Sequence, residues 1–222
     1  MKYFISVFTL LITVSSFSQD FANSKNTLLQ FQYLSESSTL NQLDKYSAST
    51  SKEKAMQKRS VDKMSVAIED LFYESFERNL EEKNITLEDK NVLENYGIIY
   101  NNGYPNVMVA KSAIKKITKK GYEGDLFFNV NMDTNIDTGL MSSSSKIVNK
   151  FIPSATFKID IWNSDLEKVK ELKFKASAPE KIENKAYFGS RFDKMDGEMI
   201  DRLIELLSPL IAESVDKAFE DL

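Results

Sequence analysis

The sequence predicts an α/β (α+β) domain: a mixed sheet of about five strands packed by three main helices, in the order β-α-β-α-β-β-β-α. Two observations carry this. Long segments near 52–83 and 197–221 repeat apolar residues at intervals of three and four, as one face of a helix requires. Segments near 125–138, 154–162 and 169–176 instead alternate with a period of two, as half-buried strands do. Hydrophobic residues at 42% and aromatics at 11% supply enough apolar side chains for a packed core.

The chain opens with Met1-Lys2, a nearly continuous apolar run from Tyr3 to Val14, and the small residues Ser15-Ser16-Phe17-Ser18 before Gln19-Asp20. That order is the pattern of a secretory signal peptide cut after Ser18. The run stops short of the roughly 20 apolar residues that span a bilayer, so a transmembrane anchor is not expected. The predicted organisation is a signal at 1–18 and a single α/β domain at 19–222, exported to the periplasm or the medium. A Ser/Thr-rich linker is expected near 35–51.

The elements follow in order. Asn26 to Leu34 is expected as a first strand, with Leu29, Phe31 and Tyr33 alternating on one side. A long helix follows from Lys52 to Lys83, with Val61, Met64, Ile68, Leu71, Phe72, Phe76 and Leu80 on one face and Asn84 at its stop. Ile85-Thr86-Leu87 is expected as a second strand, and residues 88–104 as a short helix followed by a turn at Asn101-Asn102-Gly103. Pro105 suits the first turn of a helix that runs to Lys120, with Val107, Ala110, Ile114 and Ile117 buried and Gly121 ending it.

The strand from Asp125 to Thr138 places Phe128, Val130, Met132 and Ile136 on one side and Asn129, Asn131, Asp133, Asn135 and Asp137 on the other. Ser154–Trp162 and Val169–Ala176 flank a turn at Asn163-Ser164-Asp165 and form a hairpin; 141–145 and 177–195 read as irregular connections. The last helix, capped by Asp196, carries Met199, Leu203, Leu206, Leu207, Leu210, Ile211, Val215, Ala218 and Phe219 on its apolar side. Pro209 inside it predicts a kink or break near Glu205.

Absent residue types narrow the function. With no Cys, an exported chain must hold its fold by core packing, and no lipid-anchored cysteine follows the signal. With no His, Ser-His-Asp and Cys-His hydrolysis and His-ligated zinc are excluded. The formal charge of -4 becomes one unit more negative when Lys2 leaves with the signal, which gives no general attraction to nucleic acid. The richness in Lys, Asn, Ser, Ile and Phe resembles secreted proteins of low-GC bacteria, and the Ser-Phe-Ser-Gln junction is similar to many from the Bacteroidota.

Ile159-Asp160-Ile161, the turn Asn163-Ser164-Asp165 and the strand from Val169 are placed like features of a known family. With the element order, they resemble the α/β domain shared by the TolB amino-terminal part and the curli-secretion channels, which set an apolar-Asp-apolar triplet before a tight turn and a returning strand. The Thr-Gly usual in that turn and the lipoprotein Cys are both missing here. The resemblance covers most of residues 26–220, transfers no functional residue, and implies work in envelope assembly or secretion without catalysis.

Lys111, Lys115 and Lys119 are spaced by four on the middle helix, with Lys116 and Lys120 beside them. They form either an anion site for lipopolysaccharide, phosphate or an acidic protein, or an ordinary solvated face. Tyr96, Tyr100 and Tyr104 recur at four beside Gly97 and Gly103 and suit either sugar or protein binding, or the rim of a core. Asp133, Asn135 and Asp137 before Gly139 look like the start of a calcium loop, but the Gly is one place late and Ser144 stands where a bidentate Glu belongs. The wet face of a strand accounts for them, so no metal and no cofactor is expected.

A hydrolase without His remains the alternative, through carboxylates such as Glu167 and Glu171 or a Ser-Lys pair. Ser-x-x-Lys occurs at Ser49–Lys52, Ser60–Lys63, Ser112–Lys115 and Ser143–Lys146 without its usual companion motifs. Carriage of a small apolar ligand would require a dry cavity. The leading expectation is an exported soluble domain that binds a protein or cell-envelope component and performs no chemistry.

Overall fold

A computed structural model describes residues 21–33, 51–137, 150–183 and 197–222. The signal, the linker, Asp196 and the 141–145 connection lie outside these residues. The elements are β1 (Asn26–Tyr33), α1 (Ser51–Glu82), a 3-10 turn (Glu94–Tyr96), β2 (Ile99–Asn101), β3 (Tyr104–Asn106), α2 (Ala110–Lys119), β4 (Leu126–Asp137), β5 (Lys150–Asn163), β6 (Lys168–Ser177), β7 (Ile182–Glu183) and α3 (Gly197–Phe219). The main sheet runs β1-β4-β5-β6, with β7 paired to the start of β5. β1 is parallel to β4 and the other neighbours are antiparallel. The expected mixed α/β architecture of three helices on a sheet is what forms.

Pleating gives each strand two faces. The first carries Leu28, Phe31, Phe128, Val130, Met132, Phe157, Ile159, Ile161 and Leu172, all buried beneath α1 and α3. Those two helices present Met64, Ile68, Phe72, Phe76 and Leu80, and Leu203, Leu207, Ile211, Val215 and Phe219, at the spacing that faces one side. Phe76 joins the layers: its ring lies 5.8 Å from Phe31, 6.0 Å from Phe157 and 6.0 Å from Phe219. At the rim, Asp216 of α3 accepts from Arg78 and from Asn79 of α1 at 2.6 and 2.7 Å.

The second face is divided. At one end Leu29, Phe127 and half-buried Trp162 pack under Ala110, Ala113, Ile114 and Ile117 of α2. Beyond them the rows are polar: Gln30–Asn129–Asp160–Glu171, then Gln32–Asn131–Lys158–Lys173. Amides bond along these rows, with Gln30 Nε2 donating to Asn131 Oδ1 at 2.6 Å and Asn131 Nδ2 to Asn129 Oδ1 at 3.2 Å. Lys158 and Lys168 bridge Asp160 and Glu171. β6 ends the four-strand order, and its Lys168, Lys170, Lys173 and Lys175 give that edge the charge that discourages pairing with another chain.

Several local expectations are corrected. Leu29 and Phe31 do not share a side: a bulge between Leu28 and Gln30 resets the alternation, so Leu29 enters the α2 cluster while Phe31 faces α1. Ile85-Thr86-Leu87 makes a single bridge, Asn26 to Leu87, and no strand. The second strand is instead part of a hairpin inside 88–104 and just beyond it. Asn102 and Gly103 both have positive φ (50° and 81°), the geometry of the tight two-residue turn that Asn-Gly favours.

Pro105 accordingly sits in β3 opposite Tyr100, and α2 starts at Ala110. Within 177–195, Ile182–Glu183 forms the short β7. α3 runs unbroken through Pro209; Pro209 and Glu205 are both exposed, which leaves the carbonyl without its helical partner on the solvent side.

The junction at Phe76 predicts that Phe76→Ala lowers stability by about 3–5 kcal/mol, and Leu207→Ala by about 2–5 kcal/mol. Urea unfolding measures both. A midpoint unchanged by Phe76→Ala would show that α1 and α3 do not share one core with the sheet.

Candidate functional site

The basic face of α2 is built by the division of the second sheet face. Burying Ala110, Ala113, Ile114 and Ile117 leaves Lys111, Lys115, Lys116, Lys119 and Lys120 exposed. No Asp or Glu occurs from Asn106 to Tyr122. Among the described residues none of the five lysines pairs with a carboxylate. Lys116 and Lys119 also fall in the last turn, where positive charge suits the helix dipole.

Three of these lysines have structural tasks. Lys116 Nζ donates to the Gly97 carbonyl at 2.6 Å, and Lys120 Nζ to that of Tyr96 at 2.8 Å. They strap the segment before β2 along the helix. Gly97 takes positive φ (76°), and its Cβ position would lie 3.0 Å from Lys120 Nζ. Lys111 Nζ stands 5.2 Å over the ring of Trp162, whose Nε1 is buried without a hydrogen-bond partner among the described residues. Lys115 and Lys119 are the pair left without any such engagement among the described residues.

The three tyrosines do not form one site. Tyr96 packs edge-on against Tyr122, centroids 5.0 Å apart, beside the α2 cluster. Tyr100 donates to the Lys90 carbonyl at 2.6 Å, and burial pushes its phenol up to about 12. Tyr104 belongs to the other core, 4.9 Å from Phe31 and 4.8 Å from Tyr73, with its hydroxyl on Asp70. Lys90 Nζ lies over the rings of both Tyr104 and Tyr73. The spacing by four fails because Gly97 and the β2–β3 hairpin break any continuous helix.

Apolar side chains that the sequence reading did not single out stand beside the lysines. Met108 is fully exposed, Ile99 is 76% exposed and Val109 57%. Met108 and Val109 immediately precede α2, and Ile99 sits opposite Asn106 in the hairpin. Their only sequence signal was that they fall outside the buried stripe of the helix.

The remaining candidates are dispersed. Asp133 and Asn135 lie on β4, opposite Thr156 and Ser154, so residues 133–137 are strand, and the rest of the calcium-loop pattern, Gly139 to Ser144, lies outside the described residues. Asp133 and Asn135 each have an oxygen buried without a partner among the described residues. Burial raises the Asp133 carboxyl, and Lys175 acts in the opposite direction. The side chain of Asp137 lies outside the described residues. No group of three acidic side chains placed to hold a metal occurs among those described.

Ser112 and Lys115 are both exposed on α2, and the other three Ser-x-x-Lys motifs fall on side chains outside the described set. Glu167 is engaged with Asn163, and Glu171 with Lys168 and Lys158, of which Lys168 chiefly holds the Glu171 carboxyl below its ordinary value. A groove of about 700 Å³ runs over Tyr73, Leu80, Ile85 and Leu87, but Glu77, Glu81, Glu88 and Asp89 line it. It is acidic and open, which does not suit an apolar cargo. No helix among the described residues is long and apolar enough to cross a membrane.

The hairpin that presents Ile99 is anchored to α1 by Asn102 Nδ2, which donates to Glu69 Oε2 at 2.8 Å. Burial of Glu69 raises its carboxyl above the ordinary 4.5, and the bond from Asn102 works the other way. The folded state therefore holds that proton more tightly than the unfolded one, and stability is lost as pH rises through this window. Glu69→Gln keeps an oxygen for Asn102. It is expected to gain stability relative to wild type as pH rises above the ordinary carboxylate value of 4.5, the gain vanishing at the acid end. Paired thermal or urea unfolding on both sides of that value checks it; a difference independent of pH would refute it.

No protein-family model matches the chain, and no curated protein matches its sequence.

Proposed function

We propose that this chain is an exported binding domain that engages an acidic protein or a component of the cell envelope through the α2 face, and that it performs no chemistry. The observation that carries the reading is the exposed lysine face without acidic partners among the described residues, beside exposed Ile99, Met108 and Val109. Charge of one sign over a short stretch steers an anionic partner and fixes its orientation, while adjacent apolar residues add contact area that salt does not screen. Further support comes from the dispersal of the candidate catalytic residues. Ser112 is on open helix surface, and Glu171 is committed to two lysines. The envelope setting rests on the signal-like start and on the resemblance to envelope-assembly domains.

Export predicts that protein recovered from the periplasm or medium of an expressing bacterium begins at or near Gln19. Amino-terminal sequencing decides this, and recovery with Met1 intact would count against it.

Binding predicts that Lys111→Glu, Lys115→Glu and Lys119→Glu together abolish retention on immobilised envelope material. All three positions are exposed, so the variant should still fold, with only a small fall in its unfolding midpoint from the lost contact of Lys111 with Trp162 and of Lys119 with the helix end. Wild-type retention should weaken as salt rises, because exposed charges more than about 8 Å apart are largely screened at physiological ionic strength. Retention that survives the triple change would place the contact elsewhere. Turnover of any substrate, abolished by altering one Ser or one carboxylate, would overturn the absence of chemistry.

A further inference from the structure

We infer that the α2 face docks on an anionic lipid surface, with Ile99, Met108 and Val109 entering the headgroup layer and Lys111, Lys115 and Lys119 lying along the phosphates. The inference rests on the assignment of α2 as the binding face and names what occupies it.

The two lysine straps fix the layout. Tyr96 is held by Lys120 and Gly97 by Lys116, so the chain entering β2 runs antiparallel to α2, toward its amino end. Two residues further on, Ile99 arrives at the end where Met108 and Val109 precede the helix. Ile99, paired with Asn106, thus stands with Met108 and Val109 at the amino end of α2, the end from which Lys111, Lys115 and Lys119 run. The stripe from Lys111 to Lys119 is ~12 Å long, with the tips at its amino end.

Two features select lipid over a folded partner. First, the apolar residues stand at 57–101% exposure at the amino end of α2 and on the hairpin beside it, whereas protein hot spots are usually side chains received into pockets. A headgroup layer deforms around such projections and accepts them at the depth of its acyl boundary. Second, the positive charge carries no acidic rim along residues 106–122, which suits a surface of uniform negative charge. The apolar stripe of α2 is already buried against the sheet, so the helix lies on the surface and does not insert.

The test uses the protein recovered in soluble form, sedimented with vesicles of phosphatidylcholine alone or of phosphatidylcholine with phosphatidylglycerol. Wild type is expected to pellet with the anionic vesicles only, and less so at higher salt. Changing Lys111, Lys115 and Lys119 together to Glu should lower the partition coefficient at least about a hundredfold, since each lysine near an anionic surface contributes roughly a fivefold step. Ile99→Ser with Met108→Ser should lower it about tenfold and leave the salt dependence unchanged. Inorganic phosphate at matched ionic strength should displace no more protein than sodium chloride, which separates a bilayer from a free-phosphate site. Far-UV circular dichroism and urea midpoints confirm that both variants fold.

Failure of wild type to pellet with anionic vesicles overturns the lipid inference. If the triple lysine variant nonetheless loses retention on envelope material, an acidic protein is the occupant and the binding-face assignment stands. If instead wild type self-associates with concentration and Met108→Ser abolishes this, the occupant is a second copy. If none of these is seen, the lipid inference and the binding-face assignment fall together.

Discussion

The second face of the sheet can be covered only where it is apolar, and among the described residues it is apolar at one end. Thr27, Leu29, Phe127 and Trp162 provide that end. A helix placed further along would bury Asn129, Asp133, Lys158 and Asp160, and burying charges and amides without full pairing is strongly unfavourable. α2 is therefore confined to the end that holds Phe127, and its outer surface can be as polar as the sequence makes it. The bulge in β1 is part of the same constraint. Without the extra residue, Leu29 and Phe31 would share a face, and one of the two helix layers would lose its contact with β1.

Position then depends on a small set of polar anchors between elements distant in sequence. Thr27 and Tyr122 hydroxyls meet at 2.8 Å beneath α2, and Asn26 Nδ2 donates to the Phe21 and Thr86 carbonyls. Glu69 and Asp70 on α1 receive Asn102 and Tyr104 of the hairpin. Lys90 bridges the gap differently, lying over the Tyr73 and Tyr104 rings while its carbonyl accepts from Tyr100. These contacts fix where the hairpin stands relative to both helix layers, and so where Ile99 is displayed.

Periodicity made the large elements legible. Met64, Ile68, Phe72, Phe76 and Leu80 of α1 and Leu203, Leu207, Leu210, Ile211, Val215, Ala218 and Phe219 of α3 are buried as their spacing selects, while Leu71 and Leu206 are only partly buried. β4 buries Phe128, Val130 and Met132 on one side as its alternation requires. What periodicity did not reveal were features set by single residues of backbone geometry. The Asn102-Gly103 turn is a strong hairpin signal in itself, but its flanking runs are only three residues long, and Pro105 is as compatible with an edge strand as with a helix start. The β1 bulge has no signature in the letters, because Leu28-Leu29 satisfies either side. Of the candidate site, the lysine stripe could be read directly from its spacing of four. The apolar tips could not, since nothing in the sequence distinguishes an exposed Met108 from a buried one. For the tyrosines the rim-of-a-core alternative describes their packing, because equal spacing implies proximity only within one regular element.

Net charge conceals how the molecule is polarised. The whole chain is acidic, yet residues 106–122 carry five lysines and no acid. Glu77 and Glu81 lie on α1, over the first sheet face, and join Glu88 and Asp89 around the groove at its carboxyl end. The α2 lysines lie over the opposite face. On the proposed reading, an anionic surface would be repelled by that acidic groove and attracted by the α2 lysines. A uniformly basic protein of the same size would adhere by any side, whereas charge gathered on α2 would favour contact by the side that displays Ile99 and Met108.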